Sequence, residues 1–286
     1  MESLRNEEQS NIAANRTRYS RRAFLNRAVL TSVGVAVVPL LIDTDPANAG
    51  LFSTASPDEQ KKVGEQASRQ ILQQYHEVHD GRATHFQQLG RRLVNALPDH
   101  DRKTWDYQFH VLDSKEVNAF ALPGGHMFMY TGLYSQLATD DALAGVTGHE
   151  MTHVRLQHWA KANAQQQERS LGLGILLSLF HAGNSAQTIA QLADSAVTLK
   201  YSRNEENQAD AGGLDNMVAA GYNPYGMIQL FNTLEKLSGN GGSFAGAFLS
   251  DHPLTSDRIK QTEARIAALH HTHSFPPFTP LHYNSL

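Results

Sequence analysis

The sequence predicts an α+β fold, mainly α, in which a small antiparallel sheet lies beside one long helix. Three observations carry this expectation. Apolar residues recur at three-to-four spacing through most of the chain. A block over residues 105–130 alternates with period two instead, and Leu122-Pro123-Gly124-Gly125 interrupts it. His149 and His153 stand four apart inside an apolar stripe, so both fall on one face of a helix.

Taken in order, residues 1–49 read as an export leader. Ser20-Arg21-Arg22-Ala23-Phe24-Leu25 precedes an apolar run over 28–42, and Ala47-Asn48-Ala49-Gly50 offers a small-x-small cleavage site after Ala49. The adjacent arginines resemble a twin-arginine signal. An anchor is the weaker reading, because the run holds Pro39 and is about fifteen residues, short of the roughly twenty that a span needs. The expectation is a signal peptide over 1–49, a periplasmic destination, a single domain over 50–286, and no stable membrane span once the signal is removed.

Residues 51–96 read as helical, with Val63, Ala67, Ile71 and Tyr75 on one side. Strands are expected over 105–111, 117–122 and 126–130, the last two joined by the Pro-Gly-Gly turn, where proline presets φ and glycine accepts positive φ. Thr139-Asp140-Asp141 then supplies an N-cap and acids for the positive end of a helix running to about residue 167. Its stripe is Ala142, Val146, His149, His153, Leu156 and Ala160. The glycine-punctuated apolar run 171–180 is too short to cross a bilayer and reads as a buried hairpin or substrate-side flap, with a membrane-touching loop as the alternative. Helices over 186–220, 224–237 and 255–270 follow, with a glycine-rich loop over 239–246 and a tail containing proline and histidine.

Composition narrows the chemistry. A chain of 286 residues, 41% apolar, has material for a sizeable core. The formal charge of −4 gives no basic footprint for nucleic acid. With no cysteine there is no disulfide, no thiolate nucleophile and no thiolate ligand, so a metal would be held by nitrogen and oxygen.

His149-Glu150-Met151-Thr152-His153 has the HExxH spacing of zinc peptidases, which lets both imidazoles reach one ion. Glu150 points elsewhere around the helix and is better placed beside an attacking water than on the metal. Satisfied core histidines are the bland reading. It is weakened because a glutamate on a buried stripe is costly without a partner.

Catalytic zinc takes three protein ligands and leaves one position open. Ser202-Arg203-Asn204-Glu205-Glu206-Asn207-Gln208-Ala209-Asp210 carries the candidates. Glu206 and Asp210 are four apart on the stripe that continues through Leu214, Met217 and Val218, so they face inward. Glu205 is turned by about 100° and reads as a solvated acid. Glu206 is therefore the expected third ligand, and Asp210 the acceptor that orients a ligating histidine through its other nitrogen.

Four segments in order now resemble the M48 metallopeptidases: Asn118-Ala119-Phe120-Ala121-Leu122-Pro123-Gly124-Gly125, the HExxH pentapeptide, Ser-Arg-x-x-Glu-x-x-Ala-Asp, and His252-Pro253-Leu254-Thr255-Ser256-Asp257-Arg258. The likeness spans roughly residues 57–268. It implies a zincin-like fold and a zinc endopeptidase, with one Zn2+ per chain on His149, His153 and Glu206, and with Glu150 as base. It also implies that the strand holding Asn118, Ala119 and Phe120 receives unfolded or extended polypeptide as an added strand. His252 is brought near the metal by the same likeness. Two roles stay open for it: a donor to the developing oxyanion, or a removable ligand that blocks the site. Arg258 is expected to brace that segment.

Other residues rank lower. His158, turned by about 140° from His153 on a continuous helix, reads as a packing or surface histidine. His126 reads as a surface strand position, the cluster of His270, His271 and His273 as a solvated tail, and Tyr201 as a lesser candidate for the oxyanion. The leading function is periplasmic quality control by proteolysis. Its rivals are a chaperone-like protein that holds clients over a latent zinc site, and a membrane-integrated peptidase, which the lack of a long apolar span after Gly50 disfavours.

Overall fold

A computed structural model describes residues 55–169, 200–239 and 246–281. The signal peptide expected over 1–49, the apolar run 171–180 and the N-terminal part of the helix expected over 186–220 lie outside these residues.

The chain enters through helix α1 (Pro57–Gln74), fixed by a capping box in which Ser56 accepts from Glu59 N–H and the Glu59 carboxylate accepts from Ser56 N–H. Helix α2 (Gly81–Asn95) starts at an Asp80 cap. The sequence suggested one helical stretch here, but the chain leaves the helix between them to pair with the sheet. Val78 N–H donates to Val111 O at 2.8 Å, and Asp113 N–H to His76 O at 2.9 Å. A short helix α3 (Asp99–Thr104) leads into the sheet.

The sheet has three strands, β1 (Gln108–Leu112), β2 (Ala119–Ala121) and β3 (His126–Tyr130), in the order β1-β3-β2. The hairpin β2–β3 is antiparallel, as expected, with Phe120 opposite Phe128. Its turn places Gly124 at φ +90° and Gly125 at φ +122°, where a side chain would be strained. The sheet is nevertheless mixed, because β3 slots between β1 and β2 and runs parallel to β1, with Gln108 opposite His126. The chain crosses from the end of β1 past the end of β3 before β2 begins, so β2 itself serves as the return that a parallel pair requires.

Behind the sheet come α4 (Thr131–Tyr134), α5 (Asp140–Arg155) and α6 (His158–Arg169). Thr139 caps α5 by accepting from Ala142 N–H at 3.1 Å. Every residue from Asp141 to Val154 is buried, so α5 is the central helix of the fold rather than one with a single inward stripe. It does not continue to residue 167 unbroken: Gln157 takes φ +56° and redirects the chain into α6.

Helix α7 (Arg203–Ala219) packs along α5, followed by α8 (Tyr225–Gly239), α9 (Gly246–Asp251) and α10 (Ser256–His270). Glycines let α5 and α7 approach closely: a Cβ on Gly213 would lie 2.9 Å from His149 N, and one on Gly148 would lie 3.2 Å from Gly213 Cα. The main core joins α2, the Phe109 face of the sheet, α5, α7 and α8, while Phe120, Phe128 and Tyr130 on the other face pack under Val63, Ala67 and Ile71 of α1. The fold is thus mainly helical with a small sheet, and no helix among the described residues is long and apolar enough to cross a membrane.

Candidate metal centre

His149 and His153 stand one turn apart on α5 and aim at one point, with Nε2 atoms 3.1 Å from each other. Close packing of α7 brings Glu206 to them, Oε2 at 3.6 Å from His149 Nε2 and Oε1 at 3.5 Å from His153 Nε2. His252, delivered by the turn after α9, completes a group of four buried residues whose donor atoms lie within 4.8 Å of one another. Its Nδ1 is 2.9 Å from Glu206 Oε1 and 3.3 Å from His149 Nε2.

The hydrogen bonds behind these residues decide what the front atoms carry. Asp210 Oδ1 is 2.9 Å from His149 Nδ1 and accepts only, so the His149 proton sits on Nδ1 and Nε2 presents its lone pair. His158 Nε2 lies 3.1 Å from Gln208 Oε1, to which it donates. His158 Nδ1 is then an acceptor, and His153 Nδ1, at 2.9 Å, donates to it. His153 Nε2 therefore also presents a lone pair. With those tautomers two imidazole lone pairs and a carboxylate converge, a donor set for a cation, while the His252 ring and the Arg258 guanidinium also face the carboxylate. The spacing suits a metal: tetrahedral ligands at about 2.0–2.1 Å from an ion are roughly 3.3 Å from each other.

Charge is arranged to match. Burial alone would raise the Glu206 pKa, but the charge of His252 beside it leads the opposing effects and the carboxyl is held well below its ordinary value. Burial pushes the His153 pKa well below the ordinary value, favouring the neutral, ligating imidazole. Burial raises Glu150, against the pull of His252 and His149. Its Oε1 accepts no hydrogen bond, while the carboxyl accepts from Ala121 N–H, at the rim of β2. A carboxyl of raised pKa with a spare lone pair is suited to taking a proton. Desolvation lowers the His252 pKa, but Glu206 and Glu150 more than reverse this and bring it to about 9.

Arg258 ties the shell together. It donates to Asp210 through Nε and Nη2, both at 2.8 Å, and to Pro253 O at 3.1 Å, while Nη1 lies 2.6 Å from Glu206 Oε2. Ala119 and Phe120 lie on the outer strand β2 and Asn118 just before it, all buried, with Asn118 O accepting from Tyr130 N–H on β3.

Three residues differ from expectation. His158 is fully buried against His153, because the break at Gln157 turns it back toward the ligand instead of leaving it 140° away on one helix. His126 is also buried, beneath α1, with Nε2 3.1 Å from Glu65 Oε2. Glu205 is not simply solvated: it accepts from Ser202 N–H at 2.8 Å as the third helical residue of a capping box, which Ser-x-x-Glu in the sequence signals. Tyr201 stacks on His153 with centroids 4.0 Å apart, while His270, His271 and His273 are exposed.

Comparison with known proteins fits this geometry. The model of peptidase family M48 matches residues 81–266. A putative beta-barrel assembly-enhancing protease of Vibrio cholerae is 30% identical over 185 residues, covering 62% of this chain and 37% of that protein. The mitochondrial metalloendopeptidase OMA1 of Schizosaccharomyces pombe is 27% identical over 221 residues, 76% of this chain and 64% of the relative. The metalloprotease LoiP of Escherichia coli is 27% identical over 256 residues, 85% of this chain and 97% of the relative. The match thus spans less than two thirds of the first two relatives and nearly all of the third.

Proposed function

Because this chain belongs to peptidase family M48, we propose that it is a zinc-dependent endopeptidase acting on unfolded or extended polypeptide. The observation that carries the reading is the convergence of His149 Nε2, His153 Nε2 and the Glu206 carboxylate on one point. These three would hold one Zn2+ per chain. The donor set of two imidazoles and a carboxylate suits zinc at a catalytic site. When bound, the ion supplies Lewis acidity, polarising a peptide carbonyl and acidifying the attacking water toward neutrality.

The protein's own groups do the rest. Glu150 takes the proton from the water and passes it to the nitrogen of the breaking peptide bond, so that hydrolysis balances with one water consumed. Asp210 and Arg258 fix His149 and Glu206 in register, and His158 fixes His153. The segment Asn118, Ala119 and Phe120 is the strand offered to substrate backbone, with Ala119 turning its backbone groups away from β3, a mode that selects extended chains over side chains. His252, 3.6 Å from Glu150 and carrying a raised pKa, is the donor for the developing oxyanion.

A second reading rests on one distance. With Nδ1 only 3.3 Å from His149 Nε2, His252 also stands where a fourth ligand would, which would make this a latent site or a client-holding protein. Replacing His252 by Ala separates the roles: activity falls if it serves the oxyanion and rises if it blocks. The leader over 1–49 supports export to the periplasm and a mature single domain over 50–286, with quality control as the physiological role. The experiment is chelation of the purified mature protein and reconstitution with Zn2+, followed by cleavage of an unfolded substrate. The reading requires about one zinc per chain and recovery of cleavage; cleavage that persists in the metal-free protein would sink it.

A further inference from the structure

We propose that Gln60, on helix α1, is a positioning residue for the metal centre and acts through the backbone of Gln157. The proposal rests on the reading of His153 as a metal ligand and names the residue that holds the chain in place behind it. Gln60 is 1% exposed, and a glutamine amide is costly to bury unless it is hydrogen-bonded. Its Nε2 uses both N–H groups, donating to Ala55 O at 2.7 Å and to Gln157 Oε1 at 2.8 Å. Ala55 O only accepts, so it fixes which end of the Gln60 amide is nitrogen and makes Gln157 Oε1 the second acceptor.

Gln157 is the one non-glycine residue with positive φ among the described residues, at +56°. After a helix end this left-handed conformation usually belongs to glycine, or sometimes to asparagine. A glutamine there is strained, because its Cβ crowds the following carbonyl oxygen. The same residue closes one helix and opens the next: its N–H donates to Val154 O at 3.0 Å, and its O accepts from Lys161 N–H at 3.0 Å. Right-handed backbone at 157 would carry α5 onward and leave His158 about 140° around the helix from His153. With the break, His158 is fully buried and its Nδ1 lies 2.9 Å from His153 Nδ1.

Strained backbone persists only where the surrounding structure over-determines it. Helix α1 supplies that restraint in two ways. Val63, Ala67 and Ile71 share a core cluster with Trp159 and Ala160, which holds the start of α6 against α1. This packing is non-directional. The hydrogen bond from Gln60 is directional and ties down the strained residue itself, across 97 residues of sequence. The line of contact therefore runs from Gln60 to Gln157, through the break to His158, and from His158 to His153.

The test is the Zn2+ affinity of the purified full chain, measured by competition with a chromophoric chelator and corrected for the folded fraction found by denaturant unfolding. Gln60→Met keeps the length of the side chain and removes both donors. It should weaken Zn2+ binding about 2- to 10-fold, the worth of one hydrogen bond. Gln157→Gly needs no tether, because glycine takes positive φ without strain, and should bind Zn2+ as wild type does. Adding Gln60→Met to Gln157→Gly should cost no further affinity. A role for Gln60 confined to packing, or to its bond with Ala55, predicts the same loss in both backgrounds. A Gln60→Met chain that folds only together with Gln157→Gly supports the tether. The proposal is overturned if Gln60→Met alone binds Zn2+ as wild type does, if its loss persists beside Gln157→Gly, or if it folds in neither background. Wild type that binds no Zn2+ would overturn the metal reading and this proposal together, whereas unchanged binding in Gln60→Met overturns this proposal alone.

Discussion

The Nδ1 atoms of His153 and His158 lie 2.9 Å apart, and this contact decides which nitrogen of His153 faces Glu206 and His149. His158 acts on the centre only through His153, which makes it a positioning residue. His158→Ala is expected to lower metal affinity about 10- to 100-fold, measured by competition with a chromophoric chelator. His158→Asn, which retains an acceptor for His153 Nδ1, should recover part of the loss, whereas a purely packing role predicts no such recovery.

Arg258 pairs with both Asp210 and Glu206. Arg258→Ala strands two buried carboxylates and should cost about 3–5 kcal/mol in denaturant unfolding. A loss under 1 kcal/mol would show that these charges are solvated.

The same pair sets an acid limit. Burial alone would raise the Asp210 pKa, but Arg258 and His149 overcome it and hold the folded value below the ordinary one. The folded group therefore binds its proton later than the unfolded one as pH falls. Its contribution is complete above the unfolded value of about 3.9 and is lost as pH drops through the folded value. Metal-free Asp210→Asn should have a lower plateau near neutrality and a shallower fall below pH of about 4; an unchanged acid limb would contradict this.

Gly64 of α1 packs on the hairpin turn so closely that a Cβ there would lie 1.7 Å from Pro123 O. Gly64→Ala has to push the helix and the turn apart and should destabilise by about 1–3 kcal/mol. Because that turn positions β2, cleavage of an extended substrate should fall by more than the unfolded fraction accounts for, as activity per folded molecule would reveal.

The sequence carried the helix of the HExxH pentapeptide, the strand at 126–130 and the inward phase of Glu206, because each rests on local period or capping. It did not carry what depends on the chain turning back. Gln157 bears no glycine or proline signal, yet its φ of +56° ends α5 and brings His158 onto His153, which no helical wheel foretells. The parallel pairing of β1 with β3 follows from which strand slots into the middle, information that neither strand holds alone. His126 reads as an exposed strand residue until α1 is laid over it.

The central claim is that Glu150 is the base beside a metal held by His149, His153 and Glu206. Glu150→Gln keeps the shape and removes the base, so metal content and cleavage of an unfolded protein are measured on the same preparation. The account predicts about one zinc per chain with turnover reduced about 10²- to 10⁴-fold. Cleavage at the wild-type rate by the zinc-loaded variant would contradict it.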